Sequence, residues 1–232
     1  DTVLGVMDVM GVMFTSTLFL SMTNLLMVMP VVAADRSVYY RERASGMYHA
    51  AAFAWAQGVA ELPFLFVQSV VYVVIVYCTV HFEFTAAKMM WFWLYLWLDL
   101  MLFTFMGVAA MNIAPNMPAA TAGCSFLILL WNLFCGFLIY RRDIKPWYLW
   151  AYYFNPPTYI IYGCVTTQMG DLTDTLIDTG EGVMTSVAQY VADTFDYDYN
   201  MRGWIVLILV GFIFACRGLA YFGLMRLNFQ RR

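Results

Sequence analysis

The stretch that decides the fold is VMGVMFTSTLFLSMTNLLMVMPVVAADRSVYYRER, residues 9–43. Residues 9–34 carry no charged side chain, and about 20 consecutive apolar residues are enough to span a bilayer. A cluster of charges, Asp35 to Arg43, follows directly. Short loops rich in Lys and Arg stay on the cytoplasmic side of a membrane. The stretch therefore predicts a membrane crossing and also its direction.

The composition of the whole chain is that of a membrane protein. Hydrophobic residues make up 63% of its 232 residues and charged residues 12%, whereas soluble domains carry about 25% charged residues. The net charge of -3 gives no reason to expect a nucleic-acid partner. The five cysteines form no CxxC pair, which favours small buried hydrophobic residues over a metal site or a disulfide framework. Membrane lipid is the expected surrounding.

The apolar runs predict an all-α, polytopic protein, because backbone groups in lipid must be hydrogen-bonded within a helix. Five membrane-spanning helices are predicted, at about residues 9–32, 50–80, 89–113, 119–140 and 204–225. The segment 141–203 is different, because its apolar part is split by Asn155-Pro156-Pro157 and the rest is acidic. Each apolar half is too short to cross, which predicts re-entrant or interfacial helices. An amphipathic helix is predicted around 183–195.

The basic residues also set the topology. With loop 35–48 on the cytoplasmic side, counting crossings puts the Arg231-Arg232 tail on that side and the acidic loop 141–203 outside. Arg141, Arg142 and Lys145 lie at the outer end of the fourth span, against the rule. We interpret these three as external interface anchors.

The segment YRERASGMY, residues 40–48, resembles a signature of the pleiotropic-drug-resistance group, which are full-size transporters of the ATP-binding cassette G subfamily. Further matches are Pro30-Val31-Val32, Glu61-Leu62-Pro63, WNLFCGF at 131–137 and NFQRR at 228–232. The resemblance covers essentially the whole chain. It is to the second transmembrane domain of plant-type or algal-type members, an ABC-2 type domain, without its first helix. We therefore expect a fragment with five of six spanning helices.

The resemblance implies an ATP-driven exporter of amphipathic or apolar small molecules, multi-pass in the plasma membrane. The sequence holds no G-x-x-x-x-G-K-[S/T] loop, and its only lysines are Lys88 and Lys145. ATP and magnesium are therefore expected to bind nucleotide-binding domains outside this chain, and no catalytic residue or metal ligand is expected within it. The implied partners are those domains, the other transmembrane domain, lipid and the small-molecule substrate.

The family forms a coupling helix, which docks on a nucleotide-binding domain, from the region equivalent to residues 35–48. The resemblance assigns coupling to six residues: Arg36, Arg41, Glu42, Arg43, Gly46 and Tyr48. Their mixed charges suit a polar docking surface, and Gly46 permits a turn. The alternative is ordinary anchoring of Arg and Tyr at the membrane interface.

The family builds its central cavity from the equivalents of spans one and four. The resemblance assigns cavity roles to Thr15, Phe19, Met22, Leu129, Asn132 and Leu133, and an apolar plug to Phe137 and Leu138. Thr15, Phe19 and Met22 share one helix face by their spacing. Phe and Met suit loosely specified apolar ligands, and Asn132 can supply a hydrogen bond. For any single residue the alternative is contact with lipid or with another helix.

Two acidic residues fall inside the apolar runs. Glu61 precedes Pro63 in the second span, where a carboxylate costs about 2.5–3.5 kcal/mol unless it faces protein or water. Glu61 is either part of a polar relay, pairing an arginine of the coupling region, or a structural hydrogen bond, and the residues favour neither. Asp99 in the third span is interpreted as a structural polar contact.

Three other classes of function remain open. A secondary transporter or channel needs paired ionisable residues near the midplane or an inverted repeat, and only Glu61 and Asp99 qualify. An intramembrane enzyme is disfavoured because His49 and His81 have no partners at a catalytic spacing. A non-transporting structural subunit predicts that changes at Phe19 or Asn132 have no substrate-dependent effect.

Overall fold

The computed structural model describes residues 3–80, 82, 85–173, 175–178 and 184–227. Within them the helices are α1 (Val3–Ala44), α2 (Ala50–Val80), α3 (Ala86–Ile113), α4 (Met117–Leu133), α5 (Leu149–Tyr153), α6 (Pro156–Met169), α7 (Val187–Phe195) and α8 (Arg202–Arg226). Strands β1 (Leu176–Asp178) and β2 (Met184–Ser186) form a small antiparallel sheet that the sequence did not predict. The predicted all-α class is confirmed.

α3 is the central helix of the bundle. In the part of the chain that the structure describes, four helical segments are long and apolar enough to cross a membrane: α1, α2, α3 and Tyr199–Arg226, which contains α8. Each segment contains an 18-residue window of high hydropathy. In α3, 78% of this window is buried within the protein, whereas in the other three segments 22–28% is buried. α3 packs against α1, α2, α4, α6 and α8. The surrounding helices therefore shield the polar side chains of α3 from lipid.

α1 continues through the predicted boundary between the first span and the coupling loop. The chain stays helical to Ala44, with Pro30 inside the helix, so the prediction of a loop from residue 35 is wrong. No glycine or proline lies between Pro30 and Gly46 to end the helix. Gly46 then adopts φ +74°, a left-handed conformation that favours glycine. Only residues 45–49 connect α1 to α2.

α4 ends earlier than predicted. It begins under an Asn116 cap, whose side chain accepts a hydrogen bond from the Ala119 amide, and has 17 residues. At 1.5 Å per residue it is about 25 Å long, short of a hydrocarbon core of about 30 Å. The predicted span to residue 140 is therefore wrong beyond Leu133. The chain turns at Gly136, which has φ +87°, and Cys135 is fully buried, as irregular backbone at membrane depth requires.

The predicted break at Asn155-Pro156-Pro157 separates α5 from α6. α6 is almost entirely buried and packs against α1, α3 and α8. The Asn155 side chain donates a hydrogen bond of 2.7 Å to the Trp131 carbonyl, which joins the break to the last turn of α4. α7 buries Val187, Val191 and Phe195 on one face, so the predicted amphipathic helix is present, although Val183 lies outside the described residues.

Contacts group the helix termini into two ends of the bundle. At one end, α1 after Pro30 contacts the C-terminal ends of α3 and α8. At the other, Lys88 at the start of α3 forms a 2.8 Å ion pair with Asp171 after α6, and Arg141 pairs with Asp196 after α7. This grouping matches the one obtained by counting crossings. Which end is cytoplasmic stays a prediction.

Candidate functional site

An open groove of about 780 Å³ lies between α1 and α2. Its lining residues are Met7, Asp8, Gly11, Val12, Thr15, Ser16, Phe19 and Tyr72. The Tyr72 hydroxyl donates a 3.2 Å hydrogen bond to the Ser16 carbonyl and so links the two helices at the wall. Phe19 is 70% exposed, which leaves its ring free to contact a ligand. Two predicted cavity residues, Thr15 and Phe19, therefore line one groove.

The groove is mostly apolar and has few polar groups. Asp8 is exposed and is the one charged residue among the described residues that line it. Next to the groove, Asn24 and Gln68 exchange two side-chain hydrogen bonds of 3.1 and 3.2 Å across α1 and α2. Apolar walls with a few hydroxyls and one carboxylate suit an amphipathic molecule. Asp8 and Tyr72 were missed because Asp8 precedes the uncharged stretch and Tyr72 lies in the second span, which was not assigned to the cavity.

The three predicted cavity residues of α4 lie elsewhere. Leu129 and Leu133 are exposed, and Asn132 has a shielded side-chain oxygen with no hydrogen-bond partner in the described part of the chain. None of the three lines the α1–α2 groove. Met22 of α1 is partly buried and packs against the hydrophobic core. A single cavity formed by both sets of residues stays a prediction.

The predicted plug lies beside α1. The Phe137 ring lies 4.8 Å from the Phe14 ring, measured between centroids, and a Cβ added at Gly11 would be in ordinary van der Waals contact with it, at 3.9 Å. Leu138 is exposed. Because both residues follow the end of α4, irregular backbone and not a helix holds Phe137 next to the first span.

Two arginines connect the end of α1 to the ends of two other helices. Arg36 is buried and its Nη1 donates to the carbonyls of Met111 and Ala114, at 2.5 and 2.7 Å. Arg43 Nη1 donates at 2.6 Å to the Leu224 carbonyl of α8. Terminal carbonyls of a helix lack partners within the helix and carry partial negative charge. The two arginines therefore cap α3 and α8 from α1.

The remaining coupling residues are more accessible. Arg41 is exposed and donates only to the Ser37 carbonyl on its own helix among the described residues. Tyr48 donates a 2.5 Å hydrogen bond to Glu42; burial, and then this hydrogen bond, raise the pKa of Tyr48 to about 12. The phenol therefore stays a neutral donor at physiological pH. Arg41, Gly46 and the exposed Met47 form the free surface of this end of the bundle.

The two acids inside the helices have different surroundings. In the part of the chain that is described, no arginine bonds to Glu61, and the charged group acting on it is Asp35 of α1. The predicted arginine pair of Glu61 is thus not found. Asp99 is 1% exposed and accepts a 2.5 Å hydrogen bond from Ser21, which is the predicted structural contact. No cluster of three or more His, Cys, Asp or Glu able to hold a metal occurs among the described residues.

Comparison with known proteins identifies a family that matches this chain. The ABC-2 type transporter family matches residues 1–169, from α1 to the end of α6. ABC transporter G family member 36 of Oryza sativa subsp. indica is 38% identical over 225 residues, which are 97% of this chain and 15% of that protein. Pleiotropic drug resistance protein 1 of Nicotiana tabacum is 36% identical over 226 residues, with the same coverage.

ABC transporter G family member 40 of Arabidopsis thaliana is 36% identical over 225 residues, 97% of this chain and 16% of that protein. The chain thus spans about 15% of the length of the relatives that it matches. The family match covers more than half of the chain and includes the groove, the two capping arginines of α1 and the predicted plug. The chain belongs to the ABC-2 type transporter family, as a membrane domain similar to those of plant ABC G family and pleiotropic drug resistance proteins.

Proposed function

We propose that this chain forms part of the translocation path of an ATP-driven exporter of amphipathic or apolar small molecules in the plasma membrane. The observation that carries the proposal is the open α1–α2 groove, where Phe19 is exposed among apolar walls, a few hydroxyls and Asp8. Adaptable apolar surfaces bind chemically varied ligands. A transport role follows from the family, while the substrate class is inferred from the groove.

α1 supplies the connection between this groove and the coupling region. A single helix carries Thr15 and Phe19 near one end and Arg41 and Arg43 near the other. A displacement of the arginine-capped end therefore reaches the groove along the helix, without passing through a loop. Pro30 lies between the two regions, and proline is a common site of helix bending. Through the caps of Arg36 and Arg43, α3 and α8 move with the end of α1.

The energy source lies outside the chain in this proposal. Nucleotide-binding domains bind ATP and magnesium and dock on the free surface formed by Arg41, Gly46 and Met47. Their closure moves the end of α1 and narrows the groove between α1 and α2. The Phe137–Leu138 segment, in which Phe137 contacts α1, then moves aside and opens the path toward the outside. Glu61 lies near Asp35 and couples α2 to the same movement.

Transport into inside-out vesicles tests the energy source. We expect the protein at its full natural length to accumulate an amphipathic fluorescent dye with ATP and to fail with a non-hydrolysable ATP analogue. Ionophores that collapse the proton and sodium gradients should leave this uptake unchanged. Uptake that stops with the ionophores and continues without ATP would instead show a secondary transporter.

A further inference from the structure

A second cavity, of about 460 Å³, lies between α2, α3 and α8. Its walls are aromatic and aliphatic and include Trp55, Leu62, Phe105 and Phe214. Of the described residues that line it, Arg217 alone is charged. The volume is within the range of about 300–1,000 Å³ that is usual for small-molecule sites. The cavity shares no lining residue with the α1–α2 groove.

The chain makes room for the Arg217 guanidinium within this apolar wall. The group lies over Gly58, where an added Cβ would come within 2.4 Å of Cζ, and 4.9 Å from the centroid of the Phe105 ring. Nη2 donates to the Ala54 carbonyl. Nη1 is shielded from solvent and has no hydrogen-bond partner in the described ranges. A cation in apolar surroundings is costly unless an opposite charge approaches it.

The cavity lies toward the end of the bundle that the basic residues predict to be cytoplasmic. Ala51 and Trp55 belong to the first turns of α2, and Tyr221 to the last turns of α8. Trp55 and Phe214 are both largely exposed. The cavity therefore opens sideways, to the surface that contacts lipid, at the depth of the cytoplasmic leaflet.

We propose that this cavity binds an anionic phospholipid of the cytoplasmic leaflet. Its acidic headgroup takes the free donor of Arg217, and one acyl chain lies along the walls that α2 and α8 form. A phosphate is a good partner for a guanidinium, since hydrogen bonds between charged groups are the strong ones. Basic pockets between membrane helices on the cytoplasmic side suit acidic headgroups. The proposal does not depend on the transported substrate.

Photo-crosslinking tests the proposal with the protein at its full natural length in nanodiscs of phosphatidylcholine. One sample carries photoactivatable phosphatidylglycerol and the other photoactivatable phosphatidylcholine with the same acyl chains. We expect the phosphatidylglycerol to label the peptides that contain residues 51–62 and 213–221 about fivefold more, which corresponds to about 1 kcal/mol for one basic side chain.

Two variants separate the proposed site from general attraction to basic residues. Arg217→Gln should abolish the preference, whereas Arg226→Gln, an exposed arginine on the same helix, should keep it. Gly218→Leu should also abolish labelling, because Gly218 lines the cavity and a leucine there would fill it. The protein should tolerate the change, since an added Cβ at Gly218 meets no atom within 4 Å. Gly211→Leu is its control, since Gly211 is equally open on α8 and lies outside the cavity.

Several results would overturn the proposal. Equal labelling by the two lipids would show ordinary contact with lipid and no specific site. An unchanged preference for phosphatidylglycerol in Gly218→Leu would show the same. Absence of labelling by both lipids would show that another protein segment covers the cavity. Stronger labelling by a photoactivatable fatty acid than by phosphatidylglycerol would show that the cavity binds a free carboxylate and not a phospholipid. If Arg217→Gln does not fold, the Gly218→Leu and Gly211→Leu pair decides.

Discussion

Arg36 and Arg43 both donate hydrogen bonds to backbone carbonyls at helix ends. Arg36 spans three carbonyls, because its Nη2 also donates at 3.2 Å to Pro115, and Arg43 reaches both Leu224 and Met225. A planar guanidinium with several fixed donors suits such clusters better than a lysine ammonium does. These side chains join α1 to the rest of the bundle, which leaves Arg41 as the free basic residue of the signature segment.

Replacing Arg36 by Gln should therefore destabilise the protein. Hydrogen bonds that involve a charged group contribute about 1.5–3 kcal/mol each, and the carbonyls of Met111 and Ala114 would lose this donor. Arg41→Gln is the matched control, because Arg41 is exposed and bonds only within its own helix in the described segments. Thermal unfolding in detergent measures both. Equal melting temperatures for the two variants would contradict the capping role.

Phe19 exposes a large apolar ring in the α1–α2 groove, and truncation would remove that contact surface. Phe19→Ala should raise the apparent KM for an apolar substrate about tenfold, since burying a Phe side chain is worth about 1.5–3 kcal/mol. Phe64→Ala is the control, because Phe64 is 73% exposed, close to the 70% of Phe19, and lies outside the groove.

Vesicle uptake over a range of substrate concentrations measures both Phe variants. Identical KM values for Phe19→Ala and Phe64→Ala, with normal expression, would remove Phe19 from the path. An unchanged KM in Asn132→Ala would likewise remove this predicted α4 residue from the path.

Among the helices, α1 and α3 approach each other closely at Gly107. An added Cβ there would lie 2.8 Å from the Leu25 carbonyl oxygen and 2.7 Å from Cγ1 of Val28. Small residues at such crossings allow helix backbones in membranes to approach closely. The nearby hydrogen bond from Ser21 to Asp99 joins the same two helices. The contact between α1 and α3 therefore includes a close approach that requires a small residue and a buried polar pair.

Gly107→Ala should consequently destabilise the bundle by about 1–3 kcal/mol, the usual cost of overpacking. Gly123→Ala in α4 should be neutral or stabilising by up to about 1 kcal/mol, because its Cβ meets no atom within 4 Å and Ala favours helix. Denaturation in detergent, followed by circular dichroism, compares the pair. A Gly107→Ala variant as stable as Gly123→Ala would show that the two helices are not in contact.

The sequence predicted α2, α3 and α8 closely because charges, prolines or polar links bound their apolar runs. It failed where a boundary depended on backbone conformation: α1 continues through the charges after Ala34, and α4 stops before Gly136. A change from apolar to charged residues marks the edge of a membrane, and a helix can extend beyond it. The β1–β2 hairpin was missed because each strand has three residues, too few to show an alternating pattern.

Less of the candidate site could be predicted. Helical spacing correctly placed Thr15 and Phe19 on one face, since both line the groove. The partners of Arg36 and Arg43 could not be predicted, because every helix end offers carbonyls and no side chain marks which end lies nearby. The contact between α1 and α2 at Tyr72 depends on how the two helices pack. The spacing of residues within one helix cannot predict which helix lies next to it.

The molecule as a whole is a bundle around α3 with two chemically different ends. One end holds the arginine caps of α1, and the other holds the Lys88–Asp171 and Arg141–Asp196 ion pairs. The groove lies along the N-terminal half of α1, whereas the Arg217 cavity lies near the capped end. If the capped end faces the cytosol, docking on nucleotide-binding domains and binding of an inner-leaflet lipid both become possible from that side.

The central claim is that the connection between α1 and α2 faces the cytosol and receives force there. Single-cysteine labelling tests it, with the five native cysteines replaced by Ala and one Cys introduced by Ser45→Cys or by Asp193→Cys, both at exposed positions. A membrane-impermeant maleimide should label Asp193→Cys in intact cells, and should label Ser45→Cys only after permeabilisation. Labelling of Ser45→Cys in intact cells would contradict the topology and the proposed coupling.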